Sequence, residues 1–215
     1  MMLALWQAHL GLALFLFLMA APFGTTRRWQ ALKLAVATGL TFLPVDGMPL
    51  AVAVRSFTHE VSISLLVLLA CFTLARFGVL RIRPAQQRDV LLVLALMALV
   101  LYPASLGLSY LDPYRWGYEP GWLLLAMAVL TFGFLLTGNG PGAAMLLLAT
   151  LAYALRGDGI GNYWNYLIDP LLSLYAWAWC LKWAGLAAFR RARTALQQRR
   201  HARRPHPADF AETDR

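Results

Sequence analysis

RGDGIGNYWNYLIDPLLSLYAWAW, residues 156–179, places turn chemistry, two amides, two carboxylates and a series of Tyr and Trp residues between apolar runs. Gly157, Asp158, Gly159 and Gly161 mark a loop. Asp169-Pro170 matches a helix start, with the aspartate as N-cap and the proline at the first helical position. Continuing that helix sets Ser173 beneath Asp169. The stretch reads as an outward-facing loop running into the last of seven membrane helices, and the rest of the chain reads as its frame.

Composition supports such a frame. Hydrophobic residues make up 60% of the 215 residues and charged residues 13%, against about 25% charged in a soluble domain. At about 20 residues per span, the chain has room for roughly six to eight spans. Seven apolar segments can be drawn, at 3–21, 31–45, 62–77, 90–108, 122–137, 143–155 and 170–188, of which the second and sixth are short. Strands are not expected, because the runs are long and do not alternate. The expected fold is therefore an all-α, polytopic transmembrane helical bundle of about seven spans over residues 1–188. A basic cytoplasmic tail occupies 189–215.

Charge placement gives the orientation. Lys and Arg are retained on the cytoplasmic side. With the N-terminus outside, sixteen basic residues fall inside, and only Arg55, Arg115 and Arg156 fall outside. The first apolar run has no basic segment before it and is followed by Arg27 and Arg28, which fits an uncleaved first helix. The same alternation puts Asp46, Glu60, Asp112, Glu119, Asp158 and Asp169 on the outer side.

The net charge of +9 does not point to nucleic acid, because much of it follows the last hydrophobic run. There it suits anionic lipid headgroups, at about 1 kcal/mol per basic residue near the surface. Cys71 and Cys180 lie in apolar runs without metal or disulfide spacing, and no cofactor or metal site is expected.

Four outer stretches carry the remaining polar chemistry. In Arg55-Ser56-Phe57-Thr58-His59-Glu60-Val61-Ser62, a helix would align Arg55, His59 and Ser62 on one face. Such a face could line a cavity, or Arg55 and Glu60 could simply neutralise each other at headgroup level. Pro44-Val45-Asp46-Gly47-Met48-Pro49 is a turn. Residues 110–120 form an aromatic loop suited to interfacial anchoring. In the opening stretch, a helical turn would put Asn165 on the face of Asp169. The candidate binding set is Arg55, His59, Glu60, Asp158, Asn162, Asn165 and Asp169.

The chain contains no HExxH, GxSxG or P-loop pattern. The expectation is a multi-pass protein of a bacterial cytoplasmic membrane, in contact with the bilayer and with another membrane protein of envelope biogenesis. It would serve as the non-catalytic partner of an envelope lipid or polysaccharide enzyme or transport system. Two alternatives remain: a small solute or ion transporter, and an enzyme acting on a lipid headgroup, with Glu60 or Asp169 as base and Arg55 holding phosphate.

Overall fold

A computed structural model describes residues 2–20, 26–58, 60–108, 110–155 and 161–202. The described chain is all-α apart from one short ribbon. Its helices are α1 (Met2–Met19), α2 (Arg27–Leu40), α3 (Leu50–Thr58), α4 (Ile63–Arg76), α5 (Pro84–Ser105), α6 (Gly121–Leu136), α7 (Gly140–Leu155), α8 (Trp164–Leu167) and α9 (Pro170–Ala202). A 3-10 turn, Pro113–Gly117, lies between α5 and α6. Among the described residues, α5 is the helix long and apolar enough to cross a membrane, and four shorter apolar helices accompany it.

The chain divides into two compact units between Ala176 and Trp177. In the second unit α9 continues as a helix carrying the exposed Arg190, Arg191 and Arg193.

Within the first unit, α7 packs against both α4 and α6, and α1 against α2 and α4. Met145, Leu146 and Ala149 of α7 and Leu68 and Leu69 of α4 are buried there. Close approach depends on small residues, as in helix pairs that lack a hydrophobic drive in lipid. At Gly142 an added Cβ would lie 2.8 Å from the Phe134 ring. Gly138 ends α6 at φ +66, where only glycine avoids strain. The amide of Asn139 then donates to Phe134 O at 2.7 Å, closing the helix end.

The helix ends gather into two sets. Gln7 donates to Val61 O, and His9 Nδ1 meets Thr41 Oγ1 at 2.9 Å while its ring stacks on Phe42. At the opposite end of α1, the Arg76 guanidinium donates to the carbonyls of Phe17, Leu18 and Ala20 at 2.8, 2.8 and 3.0 Å. These are the orphan acceptors of a helix C-terminus, and the positive charge also suits the helix dipole there. So α1 and α4 run in the same direction. Gln86, in the first turn of α5, donates to Gly138 O at 2.8 Å, and Asn139 Nδ2 donates back to Gln86 O at 3.0 Å.

The structure corrects three sequence expectations. Strands were not expected, yet Pro44–Val45 and Met48–Pro49 pair as a two-residue antiparallel ribbon. Asp46 and Gly47 both have positive φ, at 49 and 80, the geometry of the tightest hairpins. Second, residues 55–62 are not one helix. α3 stops at Thr58, and Ser62 adopts an extended conformation (φ −63, ψ 150), its Oγ accepting from Leu65 N at 3.2 Å as the cap of α4. The helical phase is reset, so Arg55 and Ser62 do not share a helical face. Third, α8 ends at Leu167, and Ile168 is extended (φ −152, ψ 146). Asn165 is accordingly exposed while Asp169 is buried, not on one helical face with it.

Candidate functional site

Asp169 stands where two helices begin. Its Oδ1 accepts from Leu172 N at 2.8 Å, the N-cap bond of α9. Its Oδ2 accepts from the backbone N and the Oγ of Ser62, at 3.0 and 2.7 Å. Ser62 in turn caps α4, so one carboxylate serves the N-termini of α4 and α9. Ser173 Oγ donates to Asp169 O at 2.7 Å, and the Tyr102 side chain hydrogen-bonds Ser173. Asp169 is 6% exposed and Ser62 fully buried. Among the described residues no cation pairs with Asp169. Its charge is held by backbone amides and two helix dipoles instead.

The chain just before Asp169 clips onto the turn Pro113–Gly117. Asn162 is buried: its Oδ1 accepts from Trp164 N at 2.9 Å and its Nδ2 donates to Tyr114 O at 2.8 Å. Trp164 Nε1 donates to Pro113 O at 2.8 Å, and Tyr163 N to Gly117 O at 2.8 Å. The absence of a side chain at Gly117 is what permits this approach, since a Cβ there would overlap the Asn162 side chain. Asn165 Oδ1 accepts from Tyr114 Oη at 3.4 Å. Burial pushes the Tyr114 phenol above its ordinary range; Tyr118 adds to that rise and the Asn165 bond opposes it. Burial also raises Tyr163, against its hydrogen bond with Thr150. Trp116 and Tyr118 remain exposed beside the clip.

Arg55 and Glu60 pair with each other across 2.7 Å, with side chains 29% and 52% exposed. They stand at the edge of a cavity of about 910 Å³ whose walls come from α1, α3, α4, the start of α5 and the first turns of α9. Its floor is one stripe of α4, with Leu65, Leu68, Leu69, Phe72 and Ala75 at helical spacing. Polar groups occur mainly at its two ends: Gln7, Thr58, Arg55 and Glu60 at one, Arg76, Gln86 and Gln87 at the other.

The candidate residues thus fall into three local arrangements. Arg55 and Glu60 form an ion pair at the cavity mouth, Asp169 joins two helix starts, and Asn162 and Asn165 hold a loop clip. His59 and Asp158 lie outside the described residues. Ser62 connects the first two arrangements along the chain, two residues beyond Glu60, but no hydrogen bond among the described residues ties Arg55 or Glu60 to Asp169. The sequence pointed to a cavity faced by Arg55, but not to its apolar wall along α4. The one usable signal was Gln7, a polar side chain in the middle of an apolar helix.

No protein-family model, curated protein or solved structure matches this chain. What defines its described residues is an all-α fold with two sets of bonded helix ends and an apolar cavity beside α4.

Proposed function

We propose that this chain is a multi-pass integral protein of a bacterial cytoplasmic membrane, with seven spans, the N-terminus outside and the C-terminus cytoplasmic. It acts there as a non-catalytic partner of an enzyme or transport system for envelope lipid or polysaccharide. One observation carries the membrane reading. α5 is 22 residues of apolar helix, yet only 33% of its most apolar window is buried. A helix in the core of a soluble domain would hide most of such a surface; hydrocarbon removes the need. Trp122, Val129, Phe132 and Leu136 of α6, all more than half exposed, extend the same apolar exterior.

The alternation of helix directions supports the orientation. Val61, Asp169 and the turn Pro113–Gly117 belong to segments expected outside. The contacts of Arg76 with the end of α1, and of Gln86 with Gly138, belong to segments expected inside. Each of these bonds joins segments of the same expected side.

Non-catalytic action is supported by how the outer polar groups are used. Both oxygens of Asp169 are occupied by hydrogen bonds, Asn162 is consumed in the clip, and Arg55 faces Glu60. A general base needs a lone pair within reach of substrate, and Asp169 turns its lone pairs to backbone and Ser62. The apolar walls of the cavity favour a lipidic contact over passage of a hydrated solute.

Alkaline carbonate extraction and reporter fusions after residues 107 and 138 test the membrane reading. The expected result is retention in the membrane, with the first site outside and the second inside. Release by carbonate would overturn it. Affinity purification from native membranes tests the partner role: a stoichiometric membrane protein is expected, and a clean, partner-free chain would overturn that role.

A further inference from the structure

We infer that the cavity beside α4 is a binding site for one phospholipid with a zwitterionic, ethanolamine-type head, seated at the Arg55–Glu60 mouth with an acyl chain along the α4 stripe. This rests on the membrane reading above. The distribution of polarity is that of an amphiphile's receptor: a mouth carrying charge, then a wall of aliphatic and phenyl groups. Pockets of this volume, mostly apolar with a few placed polar groups, are typical of small-molecule sites.

Length fits the chain. From Leu65 to Ala75 the floor runs about 15 Å at the helical rise. That matches the half-thickness of about 15 Å implied by a hydrocarbon core of about 30 Å. An acyl chain entering from the outer leaflet would lie wholly within the groove.

Charge selects the head. The mouth presents one guanidinium and one carboxylate in contact, both partly exposed, with no net charge. A head carrying phosphate alone would gain from Arg55 and be opposed by Glu60. A head carrying phosphate and a primary ammonium can set the first against Arg55 and the second against Glu60, forming charge-assisted bonds with both.

Native mass spectrometry of the full chain in mild detergent, offered phosphatidylethanolamine and phosphatidylglycerol in equal amounts, tests this. The expected result is one retained phosphatidylethanolamine per chain, preferred by at least about tenfold. Leu65→Trp, which fills the floor, should abolish retention; if that variant is not produced, Ala75→Phe makes the same test further along the stripe. Replacing both Arg55 and Glu60 by Gln should erase the preference between heads while leaving a bound lipid. Equal retention of both lipids by the unaltered chain, or undiminished retention by the filled variant, would overturn the site. A chain that resists carbonate extraction yet shows no preference would remove this inference and leave the membrane reading standing.

Discussion

Ser62 and Asp169, 107 positions apart, are joined by two hydrogen bonds to one carboxylate oxygen, from the serine amide at 3.0 Å and its hydroxyl at 2.7 Å. The other oxygen caps α9 at Leu172 N. The two helices that begin here are thereby fixed to each other at their N-termini, and a buried negative charge is held by backbone donors.

Removing that carboxylate should be costly. Asp169→Ala leaves the amides of Ser62 and Leu172 without their acceptor, and bonds to a charged group contribute about 1.5–3 kcal/mol each. A loss of roughly 3 kcal/mol is expected for Asp169→Ala, and of roughly 1–2 for Ser62→Ala, which also uncaps α4. Because the two side chains share a bond, the double variant should lose less than the sum, by about 1 kcal/mol. Denaturation in detergent measures all three. Strict additivity would show that the two residues act independently.

The loop clip depends on an empty space at Gly117. A methyl group there would overlap the Asn162 amide and approach Trp164. Gly117→Ala should therefore destabilise by about 1–3 kcal/mol, the usual cost of overpacking, and shift Trp164 emission as its ring leaves the Pro113 carbonyl. Gly121 has nothing within 4 Å of an added Cβ, so Gly121→Ala is the control and should be nearly neutral. Equal effects at the two glycines would remove the clip as a close contact.

Alkali should loosen the same region. Burial raises the Tyr163 phenol, so the folded chain holds that proton more tightly than the unfolded chain does. The resulting stabilisation is complete below the ordinary phenol value of about 10 and is lost as pH rises through the higher folded value. Melting temperature measured across that range should fall more steeply for the unaltered protein than for Tyr163→Phe, which has no proton to lose. Parallel curves would mean that Tyr163 does not titrate with unfolding.

Much of the helical frame was legible in the chain. Asp169-Pro170 was identifiable as a capped helix start because capping is local chemistry within four residues. The Asp46-Gly47 turn was also clear, although the small ribbon around it was not, since pairing depends on the turn's handedness. The helical face expected for Arg55, His59 and Ser62 failed for a similar reason. Whether helix continues as far as Ser62 depends on Ser62 itself, whose extended backbone is fixed by its partner 107 residues away.

By itself, the sequence determined an all-α chain, the approximate place of its helices and an asymmetric distribution of basic residues, because hydrophobic runs, breakers and charge act over a turn or two of helix. Only the tertiary structure decided what the polar outer residues do. It assigned Asp169 to two helix starts, Asn162 to a loop clip and Arg55 to Glu60 at the mouth of a cavity no single segment encloses. Those assignments depend on hydrogen bonds between groups as far as 107 positions apart, and such partners are selected by packing, not by neighbours in the chain.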